Sequence, residues 1–280
     1  MVTQIAASAP RVAEFFAGAG LVRMALEQEG CRVVFANDIS PIKRAIYAAN
    51  FDARDFRCCD IRDIDGEAVP PIDLATASFP CTNLSIAGNR EGLDGEESSF
   101  FWEFVRVLRQ MEDRRPKAVM LENVEGFATS NGGEDLAAAI AALNDLHYTC
   151  DLLVMDARWF VPQSRPRLFI IGSSSRLATP CEWDECRLHP EWVKGFALRH
   201  PELSLQAAKL PEPSTDGGAL AHLVEQLSPL DGQWWDVKRL DNFLVSLSAI
   251  NAERLEVLRS LKLTTWATCY RRTRYHKAVW

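Results

Sequence analysis

The chain lacks any apolar run long enough to cross a bilayer, which takes about 20 consecutive apolar residues. Its first ten residues, Met1 to Pro10, have neither the basic start nor the longer apolar centre of a secretory signal. A cytoplasmic location is the expectation. Also missing is a surplus of positive charge: 31 Lys and Arg stand against 38 Asp and Glu, for a net charge of −7. That balance argues against indiscriminate binding of nucleic acid, whose phosphates call for Lys and Arg. The deficit is uneven, because Arg271, Arg272, Arg274 and Lys277, interleaved with Tyr270 and Tyr275, leave a local basic surface open. Neither an internal repeat nor a low-complexity tract interrupts the chain.

With 48% hydrophobic and 25% charged residues, the composition is that of an ordinary soluble globular protein. The 280 residues suffice for one substantial domain and a smaller one. Eight cysteines in a cytosolic chain read as free thiols rather than a disulfide framework, with one of them a candidate for reactivity.

Up to about residue 175, strand and helix patterns alternate, which predicts an α/β fold with a mainly parallel sheet and helices on both faces. Strands are expected at 11–16, 32–36, 56–59, 72–78, 117–121, 148–155 and 167–172. Helices are expected at 21–29, from Pro41 onward, and at 100–111 and 134–146. Residues 83–98 form a polar, glycine-rich stretch too long for a tight turn. After about Ser173 the periodicity fades, apart from a helical pattern at 249–261. The expected organisation is a domain at 1–175 followed by a smaller, irregular one at 176–280.

Four groups of residues bear on chemistry. Phe16-Ala17-Gly18-Ala19-Gly20 lies at a strand-to-helix junction, where absent side chains let a nucleotide approach the backbone. Asp38 ends the second strand, placed to accept hydrogen bonds from ribose hydroxyls. A dinucleotide fingerprint would carry a third glycine where Arg23 stands, so the pattern leans towards an adenosyl compound without phosphates; a plain tight turn is the alternative. Pro80-Cys81-Thr82-Asn83 closes the fourth strand, at the sheet edge where ligands bind, and Cys81 is there either a nucleophile or a small buried hydrophobe. Glu122-Asn123-Val124 ends the fifth strand; Glu122 is a helix cap or, with its pKa raised by Val119, Met120, Leu121 and Val124, an acid facing a base. In Gln163-Ser164-Arg165-Pro166-Arg167 the prolines favour an extended chain, so Gln163, Arg165 and Arg167 point one way, suited to a phosphate, a carboxylate or a base carbonyl; a solvated, salt-bridged loop is the alternative.

In this order and at these spacings, F-A-G-A-G, P-C, E-N-V and Q-x-R-x-R resemble the main motifs of the cytosine-5 DNA methyltransferases, over residues 11 to 172. The resemblance implies a Rossmann-like fold and S-adenosylmethionine as cofactor. Phe16, Gly18, Gly20 and Leu21 would then form the methionine-side turn. Asp38 and Ile39 would lie at the ribose, Asp60 and Ile61 at the adenine, and Pro80 would complete the cofactor residues. Cys81 would add to carbon-6 of a flipped-out cytosine, Glu122 would engage ring N3, and Arg165 and Arg167 would hold the base oxygen, leaving carbon-5 to take the methyl group. Ser85, Asn123 and Gln163 are the implied substrate contacts, double-stranded DNA the implied partner, and protection of host or phage DNA the implied setting.

The sequence departs from the family at Thr82, where glutamine is usual, and at Leu21, where a further glycine is common. Past residue 175 the last two family motifs are not found. The expectation is a partial target-recognition domain, completed by a second polypeptide or by residues beyond this chain, with an impaired protein as the third alternative, so that residues 1–280 alone bind cofactor weakly and methylate poorly. Trp234, Trp235, Tyr270 and Arg271 to Arg274 are candidates for DNA contact. The rival readings are a transfer-RNA cytosine methyltransferase of the same family and a catalytically inactive DNA-binding subunit. A zinc module on Cys181, Cys186 and His189, which lacks a clear fourth ligand, is the third.

Overall fold

A computed structural model describes residues 9–80, 99–175, 179–211, 213, 223, 225–261, 272–274 and 277–279. Seven strands form one sheet: β1 (Arg11–Phe15), β2 (Arg32–Asn37), β3 (Phe56–Arg57), β4 (Leu74–Ala77), β5 (Ala118–Asn123), β6 (Thr149–Asp156) and β7 (Pro166–Ser173). Their spatial order is β3-β2-β1-β4-β5-β7-β6. The first five strands run parallel, and β7 enters antiparallel to both its neighbours. The reversal follows from chain length, because residues 157–165 are fewer than the dozen or so that a parallel crossover needs. The fold is therefore α/β and Rossmann-like, with a mainly parallel sheet.

Strand alternation, with one extra residue of β2 at Val34 where the pairing with Val12 and Ala13 shifts register, sends side chains into two separate cores. Ala13, Phe15 and Phe35 join Phe101, Phe104 and Leu108 of α3 (Ser99–Gln110) and Leu136, Ile140 and Leu143 of α4 (Glu134–Asp145). Val12, Val33 and Ala36 pack instead with Tyr47 of α2 (Pro41–Asn50), beside α1 (Leu21–Gln28). The helices thus cover both faces. Local chemistry places the helix starts: the Ser40 hydroxyl accepts the Lys43 N–H and Pro41 occupies the first turn of α2. No helix among the described residues is long and apolar enough to cross a membrane, and the six described cysteines are free thiols.

The chain divides into two compact units, Met1–Asp156 with Arg165–Glu212 and Ala157–Ser164 with Pro213–Trp280. The sequence boundary at 175 falls inside the first unit. Residues past it return to the sheet: Val193 and Phe196 of α5 (Glu191–Arg199) join the first core, and Gln206 N–H donates to Cys150 O. A buried pair fixes that return, with His189 Nε2 2.9 Å from Asp151 Oδ1 and Ala208 N donating to Asp151 Oδ2 at 3.0 Å. His189 of the zinc reading is buried with its Nε2 against this carboxylate, and the described residues hold no group of His, Cys, Asp and Glu able to bind a metal. Replacing Asp151 strands a buried imidazole and a buried N–H. Asp151→Ala is accordingly expected to lose about 2 kcal/mol, read as a fall in Tm of roughly 5 °C by calorimetry.

In the second unit, α6 (Val237–Ser246) and α7 (Ala249–Ser260) bury none of their residues. Trp235 packs edge-on against Phe243, with the Arg239 guanidinium over its ring, and Trp234 donates its indole N–H to Ser228 O. Both tryptophans remain about half exposed. Strands β8 (Arg272–Arg274) and β9 (Lys277–Val279) pair antiparallel. The helices α5 and α6 escape the sequence reading because each is short and flanked by prolines, tryptophans and acidic residues that mask its period.

Candidate active site

The strand order reverses direction between β1 and β4, and ligands bind outside the carboxyl ends of strands at such a point. A cleft of about 300 Å³ opens there, lined by Phe16, Asp38, Ile39, Asp60, Ile61 and Pro80 together with Asn37, Lys43, Cys59, Ser78 and Phe100. Six of the nine residues the sequence assigns to the cofactor thus line one cavity. A larger recess, about 390 Å³ and lined by Arg11, Arg32 and Asp55 among others, contains none of the motif residues.

The turn is built by conformation. Phe16, Gly18 and Gly20 all have positive φ, at 58°, 58° and 85°. A Cβ on Gly18 would meet only the Phe16 carbonyl, at 4.0 Å, so this side of the turn is open to a ligand. Gly20 serves a different purpose, since a Cβ there would lie 2.6 Å from Phe51 Cε2 and 2.9 Å from Tyr47 Cδ2. It lets α1 seat against α2. Leu21 is 71% exposed on α1 and stands outside the cleft lining.

Asp38, buried at the end of β2, organises the turn. Its Oδ2 accepts Gly18 N–H at 3.0 Å and Lys43 Nζ at 3.2 Å, and its Oδ1 accepts Ser40 N–H at 2.9 Å. A carboxylate offers about four lone-pair positions, so acceptor capacity is left, and Lys43 is itself half exposed and displaceable. Asp60 caps the single helical turn Ile61–Asp63 by accepting Arg62 N–H, and pairs with the Arg62 guanidinium at 2.6 Å, which holds its carboxyl below the usual range. It reaches the cleft already shared with Arg62. An open glycine turn, a buried strand-end carboxylate and apolar walls from Ile61, Pro80 and Phe100 fit an adenosyl ligand carrying an amino acid end.

Along the same edge, Arg167 Nε lies 2.8 Å from Glu122 Oε1 across the β5–β7 pair. The expectation of an apolar shell around Glu122 is corrected by the burial pattern of β5: Val119, Leu121 and Asn123 face the core, while Glu122 leaves the opposite face with Ala118 and Met120. Its neighbour is a cation. Asn123, buried, donates to Phe79 O at 3.4 Å, and so ties the residues leading to Pro80 to the end of the strand that carries Glu122. Arg165 is exposed, its N–H held by Asp156 Oδ1 at 2.7 Å. Gln163 belongs to the second unit, exposed, with its N–H donating to Val161 O. Cys81, Thr82, Asn83, Ser85 and the rest of the 83–98 loop lie outside the described residues.

Sequence reasoning missed Asn37, Lys43, Cys59, Ser78 and Phe100. Asn37 and Ser78 adjoin assigned strand ends and were within reach. Asn37 also donates to Arg57 O and Cys59 O, drawing Cys59 to the cleft, a link no local pattern reveals.

Comparison with known proteins gives the arrangement its relatives. Residues 10–240 match the family model described as C-5 cytosine-specific DNA methylase. Type II methyltransferase M.NgoBI of Neisseria gonorrhoeae is 33% identical over 165 residues, which cover 59% of this chain and 50% of that protein. Type II methyltransferase M.HhaI of Haemophilus parahaemolyticus is 31% identical over 162 residues, covering 58% and 48%. The chain spans about half the length of these curated relatives. Among solved structures, a DNMT2 mutant from Spodoptera frugiperda superposes with a TM-score of 0.57 at 18% identity, over 79% of this chain and 61% of that one, which shows the shared fold. With the family model spanning the sheet, its cleft and the Glu122–Arg167 edge, the chain belongs to the C-5 cytosine-specific DNA methylases.

Proposed function

We propose that this chain forms the cofactor-binding and catalytic part of an enzyme that methylates carbon-5 of cytosine in double-stranded DNA. The observation that carries the reading is a single sheet edge joining the Phe16–Asp38–Pro80 cleft to the Glu122–Arg167 pair through the Asn123–Phe79 hydrogen bond. S-Adenosylmethionine, held by the Phe16–Gly20 turn, Asp38, Ile39, Asp60, Ile61 and Pro80, supplies an electrophilic methyl group. Carbon-5 of cytosine is a weak nucleophile, so the Cys81 thiolate first bonds to carbon-6. Glu122, protonated once Arg167 turns from it to the base oxygen, donates to ring N3 as that bond forms, drawing the ring electrons. Arg167, held by Glu122 in the free protein, stabilises the charge on the base oxygen together with Arg165. After methylation, the carbon-5 proton passes to water and the N3 proton returns to Glu122, while the electron pair left at carbon-5 re-forms the ring double bond and expels the Cys81 thiolate. A stacked base cannot reach such a site, so the cytosine is flipped out. Asn123, Gln163 and Ser85 contact the substrate, and residues 213–280, in the second unit, belong to the target-recognition part.

The test is transfer of a labelled methyl group to duplex DNA and, in parallel, to transfer RNA. Formation of 5-methylcytosine in the duplex supports the proposal, and transfer confined to RNA replaces the substrate. Transfer to neither, in this chain and also when a longer chain or second polypeptide completes it, leaves an inactive DNA-binding subunit.

A further inference from the structure

The recess at the amino ends of β1 and β2 is lined by residues that methyl transfer does not use. It holds about 390 Å³, and Arg11 and Arg32, the first residues of their strands, stand in its lining. The cofactor cleft opens at the opposite, carboxyl ends of the same strands and shares no lining residue with it. From Arg11 to Phe16 of the cleft is roughly 16 Å along the extended strand.

Arg11 and Arg32 are partners in register across the parallel β1–β2 pair, so both side chains leave the same face of the sheet. Like charges side by side on neighbouring strands repel, and cost stability unless a counter-charge joins them. Neither guanidinium has a hydrogen-bond or ion-pair partner among the described residues. The Asp73 carboxylate beside Arg11 is engaged by the backbone instead, its Oδ2 accepting the Arg11 N–H at 2.8 Å.

Arg57 brings a third guanidinium, held lightly by a 3.4 Å bond from its Nη1 to Arg54 O. Against these three the lining sets a single carboxylate among the described residues, Asp55. Positive charge is therefore in surplus here, although the whole chain carries −7. The remaining lining is apolar: Phe35 is buried, Val34 and Pro70 are partly buried, and Ala68 adds a methyl group.

Guanidinium groups present paired N–H donors that match phosphate oxygens two at a time. Two of them side by side match two linked phosphates, and a cavity of this volume takes a small molecule. Apolar lining beside the charges suits an organic group attached to that anion. We propose that the recess binds a small ligand carrying a diphosphate group, with Arg11 and Arg32 as its paired anchors and Arg57 as a third contact. The site stands independently of what fills the cofactor cleft.

The experiment titrates the 280-residue chain with inorganic pyrophosphate and with uridine diphosphate by calorimetry, at fixed ionic strength and without DNA or divalent cations. Both should bind saturably. Tighter binding of uridine diphosphate assigns an organic diphosphate as the ligand, and equal or tighter binding of pyrophosphate assigns the free anion. Arg11→Gln and Arg32→Gln should each weaken binding about tenfold or more, since each removes charged hydrogen bonds to phosphate. Both residues are exposed, so both variants should fold. Arg54→Gln removes an equal charge from the exposed Arg54–Asp52 pair outside the recess, and should change affinity less than about twofold. Pyrophosphate should also raise the Tm of the native chain and of Arg54→Gln, but not that of the double variant Arg11→Gln with Arg32→Gln. Absence of saturable binding overturns the proposal. So does native affinity in both recess variants, or an equal loss in Arg54→Gln, which marks diffuse attraction to charge.

Discussion

Cys81→Ser should abolish formation of 5-methylcytosine, by about 10⁴-fold or more, while Tm and S-adenosylmethionine affinity stay at native values. The size of the effect comes from the nucleophile's charge state. A free thiol ionises near pH 8.5 and a few per cent of it is thiolate at neutral pH, whereas a serine hydroxyl supplies essentially no anion without a base beside it. The other chemical groups act only once carbon-6 carries the sulfur, so Glu122, Arg165 and Arg167 cannot compensate. Electrophoresis of the protein with duplex DNA containing a 5-fluorocytosine gives an independent reading, since that base cannot lose its carbon-5 substituent as a proton. The native protein should remain covalently attached, and Cys81→Ser should not. Methyl transfer by Cys81→Ser within tenfold of native would remove Cys81 from the mechanism.

The second large effect is expected at Asp38. Asp38→Ala should weaken S-adenosylmethionine binding about 100-fold or more, since hydrogen bonds to a charged group are worth about 1.5–3 kcal/mol each and a tenfold change is about 1.4 kcal/mol. Two causes act together. The carboxylate faces the cleft, and it also holds Gly18 N–H and Ser40 N–H, so its loss releases the turn and the start of α2 at once. Lys43→Ala separates the causes. The Lys43 side chain is 54% exposed, and partly exposed ion pairs contribute little, so the affinity of this variant should change less than threefold. Calorimetric titration of both variants decides the matter, and native affinity in Asp38→Ala would overturn the ribose assignment.

Much of this was legible in the sequence. The alternation of apolar runs with amphipathic segments sets strand and helix, because a period of 2 or of 3.6 admits one backbone geometry each. Gly18 and Gly20 marked a strand-to-helix turn, and in the structure both take a positive φ, a region only glycine enters freely. The motifs F-A-G-A-G, P-C, E-N-V and Q-x-R-x-R pointed to the family, which the match over residues 10–240 shows. These are local properties, fixed by neighbours along the chain.

The tertiary structure decided what depends on partners distant in sequence. That β7 lies between β5 and β6, antiparallel to both, sets Arg167 against Glu122; no spacing along the chain encodes that pairing. The environment of Glu122 was misread because composition near a residue does not say which face of the strand it leaves. Likewise the first compact unit runs past residue 175, because Asp151 and His189 meet across 38 positions, a contact with no sequence period. Sequence determined the elements and the family chemistry; packing determined which charges meet, and so which groups are held ready at the cleft.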